Sequence, residues 1–237
     1  MSSLHQSKIS NRLLAALSAE DFARLSSHLE TVDLPVRFEV AHEAQPIAFV
    51  YFPSSGIASV VATSEENIVE VGLFGRDGFS SVEAVLGSDL SVHTVFIQVA
   101  GAGHRIERED LLAALADRPA IQLQLLRYVH TLRMQTGFTA LSNAVHHVDE
   151  RLARWLLMCH DRSEGDEMAL THEFMALMLA VRRPSVTTAL HVLEGNGFIS
   201  AERGYITIRR REKLEEFAAA AYGKPEQEYR RVIGALR

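Results

Sequence analysis

The residues with the most distinctive chemistry in this chain are arginines and hydroxyl-bearing side chains that lie close together between residues 182 and 211. The segment holds six arginines against two glutamates, a local net charge of +4, although the 237-residue chain as a whole carries −6. A guanidinium can form two hydrogen bonds to the O6 and N7 atoms of guanine, and a Ser or Thr hydroxyl can bond to a base or a phosphate. The segment is therefore a candidate for nucleic-acid binding despite the acidic total.

Two short helices are predicted to position these side chains. The inward side of the first helix, which Thr171 begins, is expected to consist of Phe174, Leu177 and Met178. Residues 180–182 form a tight turn, and Pro184 suits the first turn of the second helix because its missing N–H would have no partner there. The buried face of the second helix is predicted to be Val186, Ala189, Leu190 and Leu193. Asn196-Gly197 supplies a left-handed stop.

Two helices joined by such a turn form a helix-turn-helix, whose second helix can enter the major groove of double-stranded DNA. With its apolar side buried, that helix presents the candidate base-reading residues Arg182, Arg183, Ser185, Thr187, Thr188 and His191. The chain then alternates like two short strands about a turn at Arg203-Gly204, the pattern of a β-wing. The candidate contacts to DNA phosphates are Thr171, Arg203, Arg209, Arg210 and Arg211. Free N–H groups at the start of the second helix would also attract phosphate.

The preceding two thirds of the chain change from short strands to long helices. After two amphipathic helices within residues 10–30, apolar runs follow at intervals of about ten residues, separated by turns such as Gly101-Ala102-Gly103, as in a β-sandwich or small barrel. From Pro119 the spacing becomes helical, with apolar residues on more than one side. We interpret one side as packing on the strands and another on the same helix of a second subunit; the alternative is burial within one chain. Asp149 is expected to cap the following helix.

These residues resemble the Crp/Fnr family of bacterial transcription regulators over nearly the whole chain. The resemblance is carried by Leu170-Thr171, by Val181-Arg182-Arg183-Pro184-Ser185-Val186, and by Leu193-Glu194 with Gly197-Phe198-Ile199. It implies an α+β fold with an N-terminal β-roll (a cyclic-nucleotide-binding-like jelly roll), residues 1–118, a long dimerisation helix, 119–147, and a winged helix-turn-helix domain, 148–237. It also implies a homodimer on inverted-repeat sites and RNA polymerase as a partner. Arg183 matches the arginine that reads guanine in family members, whereas Pro184 and Thr188 stand where charged base-reading residues are common, so the usual family site is not expected.

The sensor half departs from the cyclic-nucleotide-binding members that it resembles. Those members hold the ribose with a Gly-Glu pair and the cyclic phosphate with an Arg-Ser or Arg-Thr pair. Here no Lys or Arg occurs from Asp77 to His104, Glu83 lies only near the place of the ribose glutamate, and Arg76 is the one nearby cation. We therefore expect that the roll does not bind cyclic AMP, that it senses another effector or serves as a scaffold, and that the effector is not identified by the sequence.

Composition argues against a membrane protein, a disulfide, a metal site and an enzyme. No run of about 18 apolar residues exists, so we expect a cytoplasmic protein with no membrane partner. The single cysteine, Cys159, excludes an internal disulfide and a cysteine-held cluster, and His146-His147 does not suggest a metal site because neighbouring helical residues face different directions. We predict no catalytic and no metal-binding residues. An enzyme built on the roll would need more ligands than His93 and His104 supply.

One alternative function stays open at the level of sequence. A β-roll with a helix-turn-helix that no longer binds DNA would be a protein-interaction module. Salt separates the two, because DNA affinity falls steeply as ionic strength rises.

Overall fold

The computed structural model describes residues 4–65 and 67–237. Two short helices, α1 (Arg12–Ala15) and α2 (Ala19–Ser26), lead into an antiparallel roll of seven described strands. The strands are β1 (Glu30–Leu34), β2 (Glu39–Ala41), β3 (Phe49–Pro53), β4 (Ile57–Thr63), β5 (Ile68–Phe74), β6 (Thr94–Val99) and β7 (Gly101–Glu107). They form one sheet in the order β1-β7-β3 and a second in the order β2-β6-β4-β5. This confirms the predicted α+β class with an N-terminal roll.

Strands β1 and β7 were not expected from the sequence. The Gly101-Ala102-Gly103 segment, predicted as a turn, instead begins β7 and pairs with both β1 and β3. A Cβ on Gly101 would lie 2.2 Å from the carbonyl oxygen of Ser55, and one on Gly103 would lie 2.6 Å from that of Phe52. Neighbouring backbone therefore lies too close for a side chain at either position. This close approach, and not a turn, explains why both residues are glycine.

Two helices connect the roll to the rest of the chain. Helix α3 (Arg108–Asp117) is followed directly by the long helix α4 (Pro119–Val145), whose residues Ile121, Leu125 and Tyr128 are buried against the roll. Leu123 lies on another side of α4 and is 53% exposed. The prediction that α4 has one roll-facing side is confirmed, and three of its apolar residues, Leu123, Leu141 and Val145, are exposed within one subunit.

Helix α5 (Val148–His160) is buried on every side. Residues 152–160 are all buried, including Arg154 and His160, whereas the sequence indicated a single apolar stripe. Ile57 and Leu73 of the roll belong to the same apolar cluster as this helix. The prediction that Asp149 caps the helix was wrong: His147 precedes α5, and its N–H donates to the Glu150 carboxylate at 2.8 Å.

The chain then forms a winged helix-turn-helix. Its elements are β8 (Glu167–Met168), α6 (His172–Met178), α7 (Arg183–Gly195), β9 (Ile199–Glu202), β10 (Tyr205–Ile208) and α8 (Arg211–Ala218), with a sheet in the order β8-β10-β9. Met175 and Met178 form the buried side of α6, and Leu177, which was predicted to face inwards, is 39% exposed. Helix α6 has only seven residues, so its apolar spacing fits two alternative buried faces. These faces differ by a small rotation about the helix axis.

The last helix leaves the winged domain and returns to the first half of the molecule. Helix α9 (Lys224–Val232) packs on α4, and Tyr229 and Leu236 belong to the apolar cluster of the roll. His130 of α4 and Glu228 of α9 approach to 2.8 Å. Among the described helices, none combines the length and apolar character needed to cross a lipid bilayer.

Candidate nucleic-acid interface

The turn between α6 and α7 has the geometry that its sequence predicts. Ala180 adopts a left-handed conformation, with φ of 50°, and the Val181 N–H donates to the Ala176 carbonyl at 3.0 Å. Arg182 immediately precedes α7, and Pro184 occupies its first turn. Gly197, with φ of 70°, follows the other end. The chain thus reverses direction within residues 179–182, between the end of α6 and the start of α7, as in a helix-turn-helix.

One side of α7 anchors the helix and the opposite side is left open. Val186, Ala189, Leu190 and Leu193 are buried, as predicted. Among the six candidate base-reading residues, Arg182, Arg183, Thr188 and His191 are exposed, and Ser185 and Thr187 are half-buried. The structure therefore brings all six candidates to one helix and its N-terminal flank.

The two threonines of α7 use their hydroxyl protons within the helix. The Thr187 hydroxyl donates to the Arg183 carbonyl at 3.3 Å, and the Thr188 hydroxyl donates to the Pro184 carbonyl at 3.1 Å. Thr187 also lies 3.3 Å from Nδ1 of His172 on the preceding helix. What these side chains can offer outwards is oxygen lone pairs and methyl groups, which suit base amino groups and the thymine methyl respectively.

The cations of this surface have no partner within the described part of the chain. Arg182, Arg183, Arg203, Arg209 and Arg210 are exposed, and none forms an ion pair with another described residue. Arg203 precedes Gly204, whose φ is 84°, at the tip of the predicted wing. We call these five residues the open arginines. Unpaired guanidinium groups are available to phosphate or guanine without first losing an internal contact.

Thr171, a candidate phosphate contact, stands at the start of α6. Its hydroxyl accepts a hydrogen bond from the Phe174 N–H at 3.2 Å, so it caps the helix, and its side chain remains exposed.

Arg211 differs from the two arginines that precede it. Its guanidinium donates to Asp161 at 2.6 Å, to Glu215 at 2.8 Å and to the Tyr222 hydroxyl at 2.7 Å. Burial opposes its charge, but Asp161 and the other acceptors raise the pKa of Arg211 above the ordinary value for arginine. The phosphate contact expected of Arg211 does not fit this arrangement, because all of these bonds would have to break first.

The helix-turn-helix is held to the roll by polar contacts that the sequence did not reveal. The Trp155 indole N–H of α5 donates to the Glu70 carboxylate of β5 at 2.8 Å. Burial of Glu70 is the dominant effect and, despite the hydrogen bond from Trp155, raises its pKa to about 7. The Phe174 and Phe96 rings meet edge-on, with centroids 6.0 Å apart.

A buried ion pair forms a second link between the two halves. The Arg162 guanidinium, which follows α5, donates to the Asp77 carboxylate at 2.7 Å and to the Met158 carbonyl at 2.7 Å. Both charged side chains are almost inaccessible to solvent. Burial opposes the charge on Arg162, but Asp77 and other nearby acceptors raise its pKa above the ordinary value. No short motif joins these residues, which are 85 positions apart in sequence, and so sequence reasoning missed the pair.

The sensor half contains the two residues that were considered as cyclic-nucleotide contacts. Glu83 lines a cavity between the roll and α4, and its carboxylate is 3.7 Å from Nδ1 of His93. Arg76 points elsewhere, with its guanidinium 3.6 Å from the Glu164 carboxylate. His146 and His147 lie at the connection between α4 and α5. Within residues 4–65 and 67–237, no three His, Cys, Asp or Glu side chains are grouped to hold a metal ion.

Comparison with known proteins points to one class. Residues 150–217 match a family model described as a Crp-like helix-turn-helix domain. The chain is also similar to a CRP-like cAMP-activated global transcriptional regulator of Mycobacterium tuberculosis, with 26% identity over 203 residues that cover 81% of this chain and 89% of the relative. This relative is a transcription regulator.

Solved structures with the same fold include the FixK2 protein of Bradyrhizobium japonicum, with a TM-score of 0.71, 17% identity, and coverage of 82% of this chain and 99% of that one. The c-di-GMP-responsive global regulator CLP of Xanthomonas campestris has a TM-score of 0.64, 19% identity, and coverage of 81% and 99%. At these identities the likeness concerns the fold, and it extends through roll, long helix and helix-turn-helix together.

Proposed function

We propose that this chain is a transcription regulator of the Crp/Fnr family and that it binds a specific DNA sequence as a homodimer. The proposal is supported by the match to a Crp-like helix-turn-helix domain, by the similarity to a CRP-like regulator and by the fold shared with other regulators. In this proposal α7 lies in the major groove. The residues that read bases are Arg182, Arg183, Ser185, Thr187, Thr188 and His191, and those that contact phosphates are Thr171, Arg203, Arg209 and Arg210. RNA polymerase is proposed as a protein partner on the ground of family alone.

The observation that carries this proposal is that the open arginines are exposed and have no ion pair among the described residues. They lie at the surface, at the start of α7, at the tip of the wing and directly after β10. DNA affinity depends on cations that neutralise phosphates, and sequence preference depends on guanidinium and hydroxyl groups that reach base edges. Helix α7 and its N-terminal flank supply exposed guanidinium and hydroxyl groups, while the opposite side of α7 is buried.

The proposed dimer uses the uncovered side of α4. Leu123, Leu141 and Val145 are 53%, 47% and 62% exposed, and their spacing of 18 and then 4 residues keeps them on one side of a helix. A Cβ on Gly137, which lies between them, would meet no atom within 4 Å, so a partner helix can approach closely there. Exposed apolar residues in a row on a long helix are typical of a helix–helix seam.

Two subunits related by a two-fold axis would place two copies of α7 about 34 Å apart, one turn of DNA, on an inverted repeat. The roll would act as an effector domain that does not accept cyclic AMP, since it contributes no Lys or Arg from Asp77 to His104 to balance a cyclic phosphate.

Selection from a pool of random duplexes tests this function. The purified protein is expected to enrich an inverted repeat with half-sites about one helical turn apart. Arg183→Ala should relax the enriched preference at one base pair in each half-site. Failure to enrich any duplex at low salt would contradict the proposal and favour a protein-interaction module instead.

The dimer is tested separately by sedimentation. Leu141→Asp should convert the dimer to a monomer, because a charge would be buried in the seam. Ile68→Asp, at a residue with 44% exposure on the roll, is the matched control and should leave the dimer intact. A wild-type protein that sediments as a monomer would contradict the proposed assembly.

A further inference from the structure

Residues 219–237 cross from the winged domain back to the roll and α4, and we call this segment the strap. It follows α8 and lies beyond residues 150–217, the part that matches the Crp-like helix-turn-helix domain. The backbone has a positive φ at Gly223, 114°, and α9 then packs on α4. The strap thus adds a chain crossing between the two halves, besides the two-residue connection His146-His147 between α4 and α5.

Two tyrosines of the strap bond to the two chain segments that the buried ion pair between Asp77 and Arg162 joins. The Tyr222 hydroxyl donates to the carboxylate of Asp161, the residue before Arg162, at 2.7 Å. The Tyr229 hydroxyl donates to the backbone carbonyl of Asp77 at 2.8 Å. Tyr229 is only 3% exposed, so this hydrogen bond is made away from solvent. The strap therefore holds both segments of the ion pair at once.

On the side of the roll and α4, the strap is held by apolar packing and one polar pair. Tyr229 and Leu236 are buried in the apolar cluster of the roll. The Glu228 carboxylate lies 2.8 Å from Nε2 of His130 on α4. Where the strap meets α4 and Asp77, the remaining void is only about 10 Å³, at the lower limit for one water. This side of the strap is therefore closely packed.

On the side of the winged domain, the strap is held by Arg237. Its guanidinium donates to the carbonyl oxygens of His160 and Gly165 and to the Asp166 carboxylate, each at 3.0 Å. These three acceptors lie between α5 and β8, at the start of the winged domain. Because a guanidinium is planar and its donors have fixed directions, several such bonds fix the orientation of the groups that it joins. The strap is thus bonded to both halves of the molecule.

These contacts restrain the orientation of the winged domain relative to α4. A few connecting residues are enough for a hinge motion, so a domain attached through His146-His147 alone is free to rotate about that connection. The strap opposes such a rotation because it is bonded on both sides of the junction. In the same arrangement the open arginines are exposed and one side of α7 faces solvent. The closed strap therefore leaves the proposed DNA surface free.

We propose that the strap positions the winged domain on α4 and so fixes the distance between the two copies of α7 in the homodimer. This inference rests on the proposed function, because it concerns DNA recognition by two subunits. Two linked binding modules gain affinity from each other only when their geometry lets both engage at once. The strap thus strengthens binding to an inverted repeat without touching DNA, and Tyr229 and Arg237 are its positioning residues.

A distance measurement on the full-length protein, without DNA, tests the positioning role. Nitroxide labels at Glu109→Cys on α3 and Glu202→Cys on the wing, both exposed positions, report the separation of the two halves by double electron–electron resonance. Cys159 is buried and is expected to stay unlabelled. Excess unlabelled protein dilutes the sample so that only distances within one subunit contribute. The wild-type background should give one narrow distribution, and Tyr229→Asp, which places a charge in the apolar cluster, should broaden it.

Three further variants keep the result interpretable. Gln227→Asp makes the same charge change at an exposed position of α9 and should leave the distribution narrow. Tyr229→Phe keeps the packing of the ring and should also give a narrow distribution. Arg237→Gln removes the bonds to the winged side at a more exposed position, so it is expected to fold even if Tyr229→Asp does not, and it should broaden the distribution. Wild-type widths for both Tyr229→Asp and Arg237→Gln would overturn the proposal.

Affinities for a duplex with both selected half-sites and for a duplex with one of them test the consequence for DNA. Tyr229→Asp should weaken binding to the complete site at least tenfold and leave binding to the single half-site unchanged, because only simultaneous engagement depends on domain orientation. Equal affinity changes on both duplexes, no change on either, or tighter binding to the complete site would contradict the positioning role. If the protein ignores every duplex, the proposed function fails, and the resonance measurement still decides whether the strap positions the winged domain.

Discussion

Two groups of arginines in this molecule behave in opposite ways. At the junction between the roll and the helix-turn-helix, Arg162 and Arg211 are committed to internal carboxylates, and Arg154 is buried against the Thr139 hydroxyl at 3.1 Å. The open arginines, at the start of α7, at the wing tip and directly after β10, have no such partners among the described residues. The difference shows that availability, and not the number of cations, separates a binding surface from a structural one. In the run Arg209-Arg210-Arg211, the first two residues are open arginines and the third is paired with internal carboxylates.

The largest expected effect comes from breaking a junction arginine. Arg162→Leu leaves Asp77 buried without its cation, and the free energy of unfolding should fall by about 3–5 kcal/mol. Urea denaturation followed by circular dichroism measures this loss. Arg210→Leu, at an open arginine, is the control and should change stability by less than about 0.5 kcal/mol. Similar losses for the two variants would remove the distinction between the regions.

The second prediction concerns the neighbouring junction carboxyl, Glu70. Its pKa in the folded protein, about 7, lies above the ordinary value of 4.5, so the folded state binds more protons than the unfolded state between these values. This contribution to stability is present below about pH 4.5 and is lost as pH rises towards 7, with a total of about 3 kcal/mol at most. Glu70→Gln keeps an acceptor for Trp155 and should remove this part of the pH dependence. Parallel stability profiles for wild type and variant from pH 4.5 to 7 would disprove it.

The third prediction concerns Arg183, an open arginine at the proposed DNA surface. Arg183→Ala should weaken binding to the selected duplex by about 1–3 kcal/mol and reduce discrimination at one base pair, because a bidentate contact is lost. The melting temperature should not change, since Arg183 has no internal partner among the described residues. Fluorescence anisotropy with the selected and a scrambled duplex provides the measurement. An equal loss on both duplexes would show that Arg183 touches only the DNA backbone.

The smallest expected effect is on DNA binding by Arg210, which lies in the connection between β10 and α8. Arg210→Gln should weaken binding to all duplexes alike and lower the slope of log affinity against log salt by about 1, as removal of one phosphate contact does. Arg230→Gln, an exposed arginine on α9, is the control and should leave the slope unchanged. An unchanged slope for Arg210→Gln would exclude this residue from the phosphate contacts.

The DNA-facing elements could be predicted from sequence because their signals are local. Pro184 at a helix start, Gly197 after a helix end, and the spacing of Val186 and Leu193 each depend on neighbours within a few residues. These signals predicted the two helices, the buried face of α7 and the wing in the places where the structure has them, whereas Leu177 of α6 was wrongly assigned to the interior.

The junction could not be predicted in the same way because its partners are distant in sequence. Trp155 and Glu70 are 85 residues apart, and Arg211 is distinguished from Arg210 only by Asp161, 50 residues away. Helix α5 has polar and apolar residues in an amphipathic pattern, yet it is buried all round because Arg154 and His160 find internal partners. A sequence pattern assigns such polar residues to solvent, so the second side of the helix was missed.

The central claim is that the open arginines form a sequence-specific DNA surface, and one salt titration tests it most directly. Affinities for the selected and the scrambled duplex are measured by anisotropy from about 50 to 200 mM salt, a range over which six or more phosphate contacts would lower affinity by about 10³-fold or more. The account predicts a steep decline for both duplexes, with the selected one bound more tightly at every salt concentration. Affinity that is independent of salt, or equal for the two duplexes throughout, would contradict it.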